Sequence, residues 1–193
     1  GWLLIEKFNG LGSTRGFVKN AIKYIPICGW FFGFAEHIFL QRSLEKDTKI
    51  IEHRISEYAN YPDSTWMVIT AEGTRFTKEK HETSVKFAQD RNLEPFKHHL
   101  IPRAGGFNLC VPILKKYNCP VVYNFQLAFH KDAPNDPTLG NLLLGKKVTA
   151  HVLLERIPME KVEPTFEYLH DVYKRKDAQQ DSFHTHGNFY EGL

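Results

Sequence analysis

The chemistry that is easiest to read in this chain is carried by two arginines. Arg42 ends the apolar run Ile38-Phe39-Leu40-Gln41, and Arg75 closes Glu72-Gly73-Thr74-Arg75, just after Trp66-Met67-Val68-Ile69-Thr70. A guanidinium is a planar fork that meets a phosphate or carboxylate with two parallel hydrogen bonds. Gly73 has no Cβ, so main-chain N–H groups there can approach an oxyanion, and the Thr74 hydroxyl adds a donor. Glu72 repels an anion but can hold an arginine in place. Ligands of an open parallel sheet sit beyond the carboxyl ends of its strands, so two arginines at two such ends can converge on one anion. The plainer alternative is a strand-end turn with a Glu–Arg surface pair, which is common and weak.

Other familiar chemistry is missing. The sequence has no G-x-S-x-G nucleophile elbow, no Walker A loop and no H-E-x-x-H. Gly10-Leu11-Gly12-Ser13-Thr14-Arg15-Gly16 approximates a dinucleotide fingerprint, but its third glycine falls one place late, and it reads as a loop. Cys28, Cys110 and Cys119 contain no C-x-x-C spacing, so they offer neither a zinc knuckle nor a redox pair, and they read as reduced thiols in a cytosol-facing compartment. No metal site is indicated.

The elements that must position the arginines alternate in type. Ser43 is placed to cap a helix with Glu45 and Asp47 in its first turn and Leu44, Ile51, Ile55 and Tyr58 on one stripe. Residues 66–70 suit a buried strand, and a helix is expected near residues 82–90. Leu100-Ile101-Pro102 leads through Gly105-Gly106 into a helix over residues 107–116, followed by a strand over residues 121–127. Val148, Ala150, Val152 and Leu154 alternate with Thr149, His151, Leu153 and Glu155, which is strand period. Phe166, Leu169 and Tyr173 form a closing helical stripe. The expected fold is α/β, a mostly parallel central sheet flanked by helices in a single domain over residues 1–193, with residues 180–193 a poorly ordered tail.

A net charge of +3 is too small to mark a nucleic-acid binder, and 42% hydrophobic residues exclude a disordered chain. The aromatic content is high, and residues 24–40 hold Trp30, Phe31, Phe32, Phe34 and Phe39 without a lysine or arginine. Pro26, Gly29, Gly33, Glu36 and His37 spoil this run as a membrane span. Its expected place is a buried helix and strand; the sharper reading is an apolar surface that meets lipid or an acyl chain.

Three blocks, in order, resemble those of the glycerolipid acyltransferase family. Ile69-Thr70-Ala71-Glu72-Gly73-Thr74-Arg75-Phe76-Thr77 is similar to its E-G-T-R block, and Ile38-Phe39-Leu40-Gln41-Arg42-Ser43 to its second block. His99-Leu100-Ile101-Pro102-Arg103-Ala104-Gly105-Gly106-Phe107 is similar to its proline-bearing fourth block. Gly29-Trp30 and Gly145-Lys146-Lys147 add a likeness to acylglycerol-phosphate acyltransferases of the gamma, delta, epsilon and lysocardiolipin branch. The family's H-x-x-x-x-D block is missing, since no histidine here has an aspartate five places on.

The resemblance implies a glycerol-phosphate acyltransferase-like fold and transfer from acyl-CoA, a co-substrate with no bound cofactor, to the sn-2 hydroxyl of a lysophospholipid, most closely lysophosphatidic acid. It assigns the acceptor phosphate to Arg42, Gly73, Thr74 and Arg75, with Glu72 supporting and Pro102 and Arg103 as further candidates. The catalytic His–Asp pair is then expected upstream of Gly1, the chain being a domain truncated at its N-terminus. By itself such a chain is expected to be inactive. A membrane surface is the implied partner and the endoplasmic reticulum membrane the implied location, with the domain facing the cytosol. The alternative is a non-catalytic module that binds anionic lipid headgroups.

Overall fold

The computed structural model describes residues 2–7, 10, 12–41, 43–130 and 134–192. They divide into two compact units, Gly1–Ala71 with Gly105–Cys119, and Glu72–Ala104 with Pro120–Leu193. In the first unit the elements run α1 (Trp2–Lys7), β1 (Thr14–Lys19), α2 (Cys28–Phe34), β2 (Ile38–Leu40), α3 (Leu44–Ala59) and β3 (Trp66–Val68). In the second come α4 (Lys78–Asp90), then α5 (Ala104–Lys116), most of which returns to the first unit, then β4 (Val121–Ala128), α6 (Leu139–Leu143), β5 (His151–Pro158) and α7 (Phe166–His186).

The first unit holds the expected parallel sheet, in the order β2-β1-β3. Strand β1 is its centre. Its first half pairs with β3, Thr14 opposite Trp66, and its second half with β2, Phe17 opposite Ile38. Residues 14–16 of the glycine-rich segment therefore open this central strand and are not loop. Ile51, Ile55 and Tyr58 of α3 and Cys110 and Ile113 of α5 close one core around Ile38. The stripe on α3 is thus the one expected, but its cap is different. The Ser43 side chain makes no capping bond. Instead the Asp47 carboxylate accepts the main-chain N–H of Gln41 at 2.8 Å and of Ser43 at 3.2 Å, since a charged acceptor reaching back outcompetes a hydroxyl. Strand β3 is also shorter and more open than a buried run, with Val68 exposed.

In the second unit β4 and β5 form an antiparallel pair, Val121 opposite Pro158 and Ala128 opposite His151. The expected mostly parallel sheet is thus the three-stranded one, and these two strands form a separate sheet. The alternating run is also displaced, with β5 starting at His151 rather than Val148. Helix α4 starts four residues ahead of the expected 82, at Lys78, because Thr77 caps it by accepting the Lys80 N–H. Helix α7 overturns the expected tail. It continues to His186, where Gly187 turns out of it at φ +80°. Phe183 and Phe189 then pack with Ala128, so both belong to the core of this unit.

Residues 24–34 depart furthest from expectation. Tyr24, Ile25, Ile27, Trp30, Phe31 and Phe34 are exposed, so the buried-core reading fails for them. The two polar residues that follow explain why the segment is not a span. Glu36 pairs with Arg15 at 2.6 Å and accepts the Tyr61 hydroxyl, while His37 Nδ1 accepts the Gly16 N–H at 2.8 Å. They pin the start of β2 to β1.

Candidate functional site

The Glu72-Gly73-Thr74-Arg75 segment is a turn in the second unit, between β3 and α4. Gly73 sits at φ +67°, in the left-handed region. An L-residue there costs about 1–2 kcal/mol, which is why the turn takes glycine. Just above it lies Arg103. A Cβ added to Gly73 would stand 3.6 Å from Arg103 Cδ, in ordinary contact. Gly73→Ala is therefore expected to lower the melting temperature by about 2–8 °C through strain alone. An unchanged melting curve means that the turn relaxes out of this conformation.

The third and fourth blocks are stitched together here. The Glu72 carboxylate accepts the Leu100 N–H. The Ile101 N–H donates to Ser84 Oγ at 2.8 Å, and Ile101 and Pro102 are buried. These bonds hold the main chain of residues 100–102 beside the turn and aim Arg103 over Gly73. Arg75 and Arg103 are both exposed, and Lys80 Nζ donates to Thr74 Oγ1. The turn thus offers a glycine, a hydroxyl and a set of cations. Groups of these kinds are chemically suited to a phosphate dianion or another compact anion.

Glu72 supports the turn through its surroundings rather than through an arginine. Among the described residues it makes no ion pair with Arg75. It lies half-buried and its carboxyl is pushed above the ordinary range by that burial, against the pull of His99, the Leu100 N–H and Lys176. The Tyr173 hydroxyl meets the Glu72 main chain, and burial raises the Tyr173 pKa. Lys176, whose pKa burial lowers, donates to the Phe125 carbonyl at 2.9 Å. Glu72 is therefore an anchor for the turn and not an arginine clamp. Arg42 lies outside the described residues.

A layer of charged residues that the sequence did not single out supports this region. Asp177, buried on α7, accepts the main-chain N–H groups of Lys97 and His98, each at 2.8 Å, and its Oδ1 lies 3.1 Å from His99 Nδ1. Burial by itself raises a carboxyl pKa, but the bonds from His99, Lys97 and His98 outweigh it and hold Asp177 below the ordinary value. Asp181 takes Lys97 Nζ at 3.1 Å and His98 Nε2 at 3.0 Å. Residues 97–99 form bends, and both histidines are held by carboxylates of α7. Beside the turn, a cavity of about 330 Å³ is lined by Phe76, Lys97, His98, His99, Leu127, Gln180 and His184. A signal for α7 existed. The stripe Phe166, Leu169, Tyr173 extends at helical spacing through Lys176, Asp177, Gln180 and His184. Among the described residues, no group of three or more His, Cys, Asp or Glu side chains is placed to hold a metal ion.

Comparison with known proteins identifies the family of the chain. A family model described as "Acyltransferase" matches residues 2–123, and one described as "Acyltransferase C-terminus" matches residues 141–192. The first contains the turn and Arg103; the second contains α7. The chain is 37% identical over 195 residues to 1-acyl-sn-glycerol-3-phosphate acyltransferase delta of Bos taurus, an alignment covering 99% of this chain and 51% of that protein. It is 36% identical over 195 residues to the delta protein of Homo sapiens, with the same coverage. Against 1-acyl-sn-glycerol-3-phosphate acyltransferase gamma of Homo sapiens the identity is 33% over 193 residues, 98% of this chain and 50% of that protein. The chain spans about half the length of the curated relatives it matches. No solved structure matches it.

Proposed function

Because the chain belongs to the acyltransferase family, we propose that its protein transfers an acyl group from acyl-CoA to the sn-2 hydroxyl of lysophosphatidic acid. The product is phosphatidic acid, which places the reaction in phospholipid biosynthesis or remodelling. The observation that carries the reading is the turn itself, with Gly73 at φ +67° under Arg103 and Arg75 exposed beside it. A monoester phosphate is the polar end of the acceptor. Gripping it at a fixed point sets where the glycerol hydroxyl lies, and positioning of this kind supplies a large part of a transfer rate. Thr74 and Arg75 bind the phosphate, Arg103 is a further candidate, and Glu72 with Asp177 keeps the turn in shape.

The reaction removes the proton of the hydroxyl as its oxygen attacks the thioester carbonyl, and the CoA thiolate leaves. A histidine oriented by an aspartate suits that proton transfer. The sequence holds no H-x-x-x-x-D, so the reading assigns the pair to residues outside these 193 and expects these residues alone to bind the acceptor without transfer. Acyl-CoA is a co-substrate, with no resident cofactor, and the endoplasmic reticulum membrane is the location carried over from the family resemblance.

The test is an assay of the full-length gene product with lysophosphatidic acid and radiolabelled acyl-CoA. Labelled phosphatidic acid formed only when both are present is the expected result. Acceptor binding without any product, in a preparation that melts cooperatively, favours the non-catalytic headgroup-binding reading instead.

A further inference from the structure

The exposed apolar surface at residues 24–34 is built, not left over. Residues Asn20–Tyr24 make a 3-10 turn, and α2 is docked on it through Gly29. A Cβ at Gly29 would stand 2.3 Å from the Lys23 carbonyl oxygen, so only glycine allows this approach. Between them the chain turns tightly, the Cys28 N–H donating to the Pro26 carbonyl at 2.7 Å. Ile27 is held there at φ +66°, a strained conformation for a β-branched residue. The result is outward aromatic and aliphatic side chains, with Tyr24 77%, Ile27 76%, Trp30 67% and Phe34 87% exposed. Folding gains nothing from an isoleucine that is both strained and in water.

Charge selects the partner. From residue 19 to residue 35 the only charged side chains are Lys19 and Lys23, both exposed. The next, Glu36, is occupied by Arg15 and Tyr61, each at 2.6 Å. Tyrosine and tryptophan favour the headgroup layer of a bilayer, and lysines beside them favour anionic lipid. Helix α2 has seven residues, and no described helix is long and apolar enough to cross a membrane, so this surface fits one that lies on the bilayer. We propose that residues 19–34 are an interfacial anchor for anionic bilayers, with Tyr24, Ile27, Trp30 and Phe34 at the boundary of headgroups and acyl chains, and Lys19 and Lys23 on lipid phosphates.

The experiment is flotation of the 193-residue chain with vesicles of phosphatidylcholine alone or with phosphatidylserine added, in the absence of acyl-CoA and lysophosphatidic acid. Its outcome is thereby independent of catalysis, and the variants below, which leave the turn at Gly73 untouched, separate it from that site. The chain is expected to float with the anionic vesicles. The double variant Trp30→Ser/Phe34→Ser, made at exposed positions, is expected to melt like the wild type and to bind at least ~10-fold more weakly. Lys19→Glu/Lys23→Glu, which keeps the apolar surface intact, is expected to lose binding to anionic vesicles only, and added salt to weaken the wild type in the same way. Wild-type binding by either double variant overturns the proposal. So does a chain that ignores vesicles but dimerises through Trp30 and Phe34, or a longer gene product in which these side chains are covered by another segment of the same protein.

Discussion

Asp177→Ala is expected to destabilise the protein by about 3 kcal/mol, a loss of roughly 6–12 °C in melting temperature. The carboxylate is buried and takes two main-chain N–H groups and the His99 ring, all from the segment that carries the fourth block. Removing it strands the donors of these part-buried bonds, and each unmade bond of that kind costs about 1–3 kcal/mol. The pH dependence follows from the depressed pKa of Asp177 in the folded state. The bonded carboxylate stabilises the fold above the unfolded value of about 3.9, and that contribution is lost as pH falls through the lower folded value. Asp177→Asn keeps the size of the side chain but never ionises. Its stability deficit against the wild type is expected to be full near pH 7 and to shrink as pH drops below about 4. Denaturant titrations of both proteins across that range check the prediction, and a deficit independent of pH assigns the effect to packing.

Arg75→Ala, made in the full-length gene product, is expected to weaken the acceptor by about ten- to a hundredfold while leaving acyl-CoA affinity and the melting curve nearly unchanged. The expectation rests on exposure. Arg75 makes no ion pair with Glu72 among the described residues, so its removal breaks no internal bond, whereas a charge-assisted bond to phosphate is worth about 1.5–3 kcal/mol. Arg75→Lys keeps the charge and loses the fork, and is expected to recover only part of the affinity. Glu72→Gln is the control, because Glu72 is tied to the Leu100 N–H. It is expected to act on stability more than on acceptor affinity. Equal losses for both substrates in Arg75→Ala, reproduced by Glu72→Gln, return the turn to a purely structural role.

The parts of this architecture that the sequence made legible are those governed by local spacing. The apolar run that precedes Gly73 and Arg75, and the helical stripe on α3, depend on neighbours a few residues apart, so the parallel sheet and the turn that follows β3 in sequence could be expected. Aromatic density misled for residues 24–34, because composition does not say whether an apolar face is covered, and only the docking of Gly29 onto Lys23 turns those rings outward. The end of the chain was misread for a related reason. Hydrophobic period fades after Tyr173 because the inward side of α7 becomes polar, with Asp177, Gln180 and Ser182 buried. The partners of Asp177 lie far away in sequence, His99 being 78 residues from it, and no motif spacing encodes such a pair. For the same reason Glu72 read as a companion of its near neighbour Arg75, although its carboxylate is taken by a main-chain group of the fourth block.

That this turn recognises phosphate is most directly tested by comparing lysophosphatidic acid with the monoacylglycerol of the same acyl chain, which differs only in lacking the phosphate. Equilibrium binding of each is measured to the wild-type full-length protein and to Arg75→Ala. The four affinities form a cycle that isolates the coupling between the guanidinium and the phosphate from everything the acyl chain contributes. The account predicts that the wild type prefers lysophosphatidic acid and that Arg75→Ala loses about ten- to a hundredfold of that preference, with monoacylglycerol bound equally by both proteins. An identical preference in the two proteins, or an equal loss for both ligands, contradicts it.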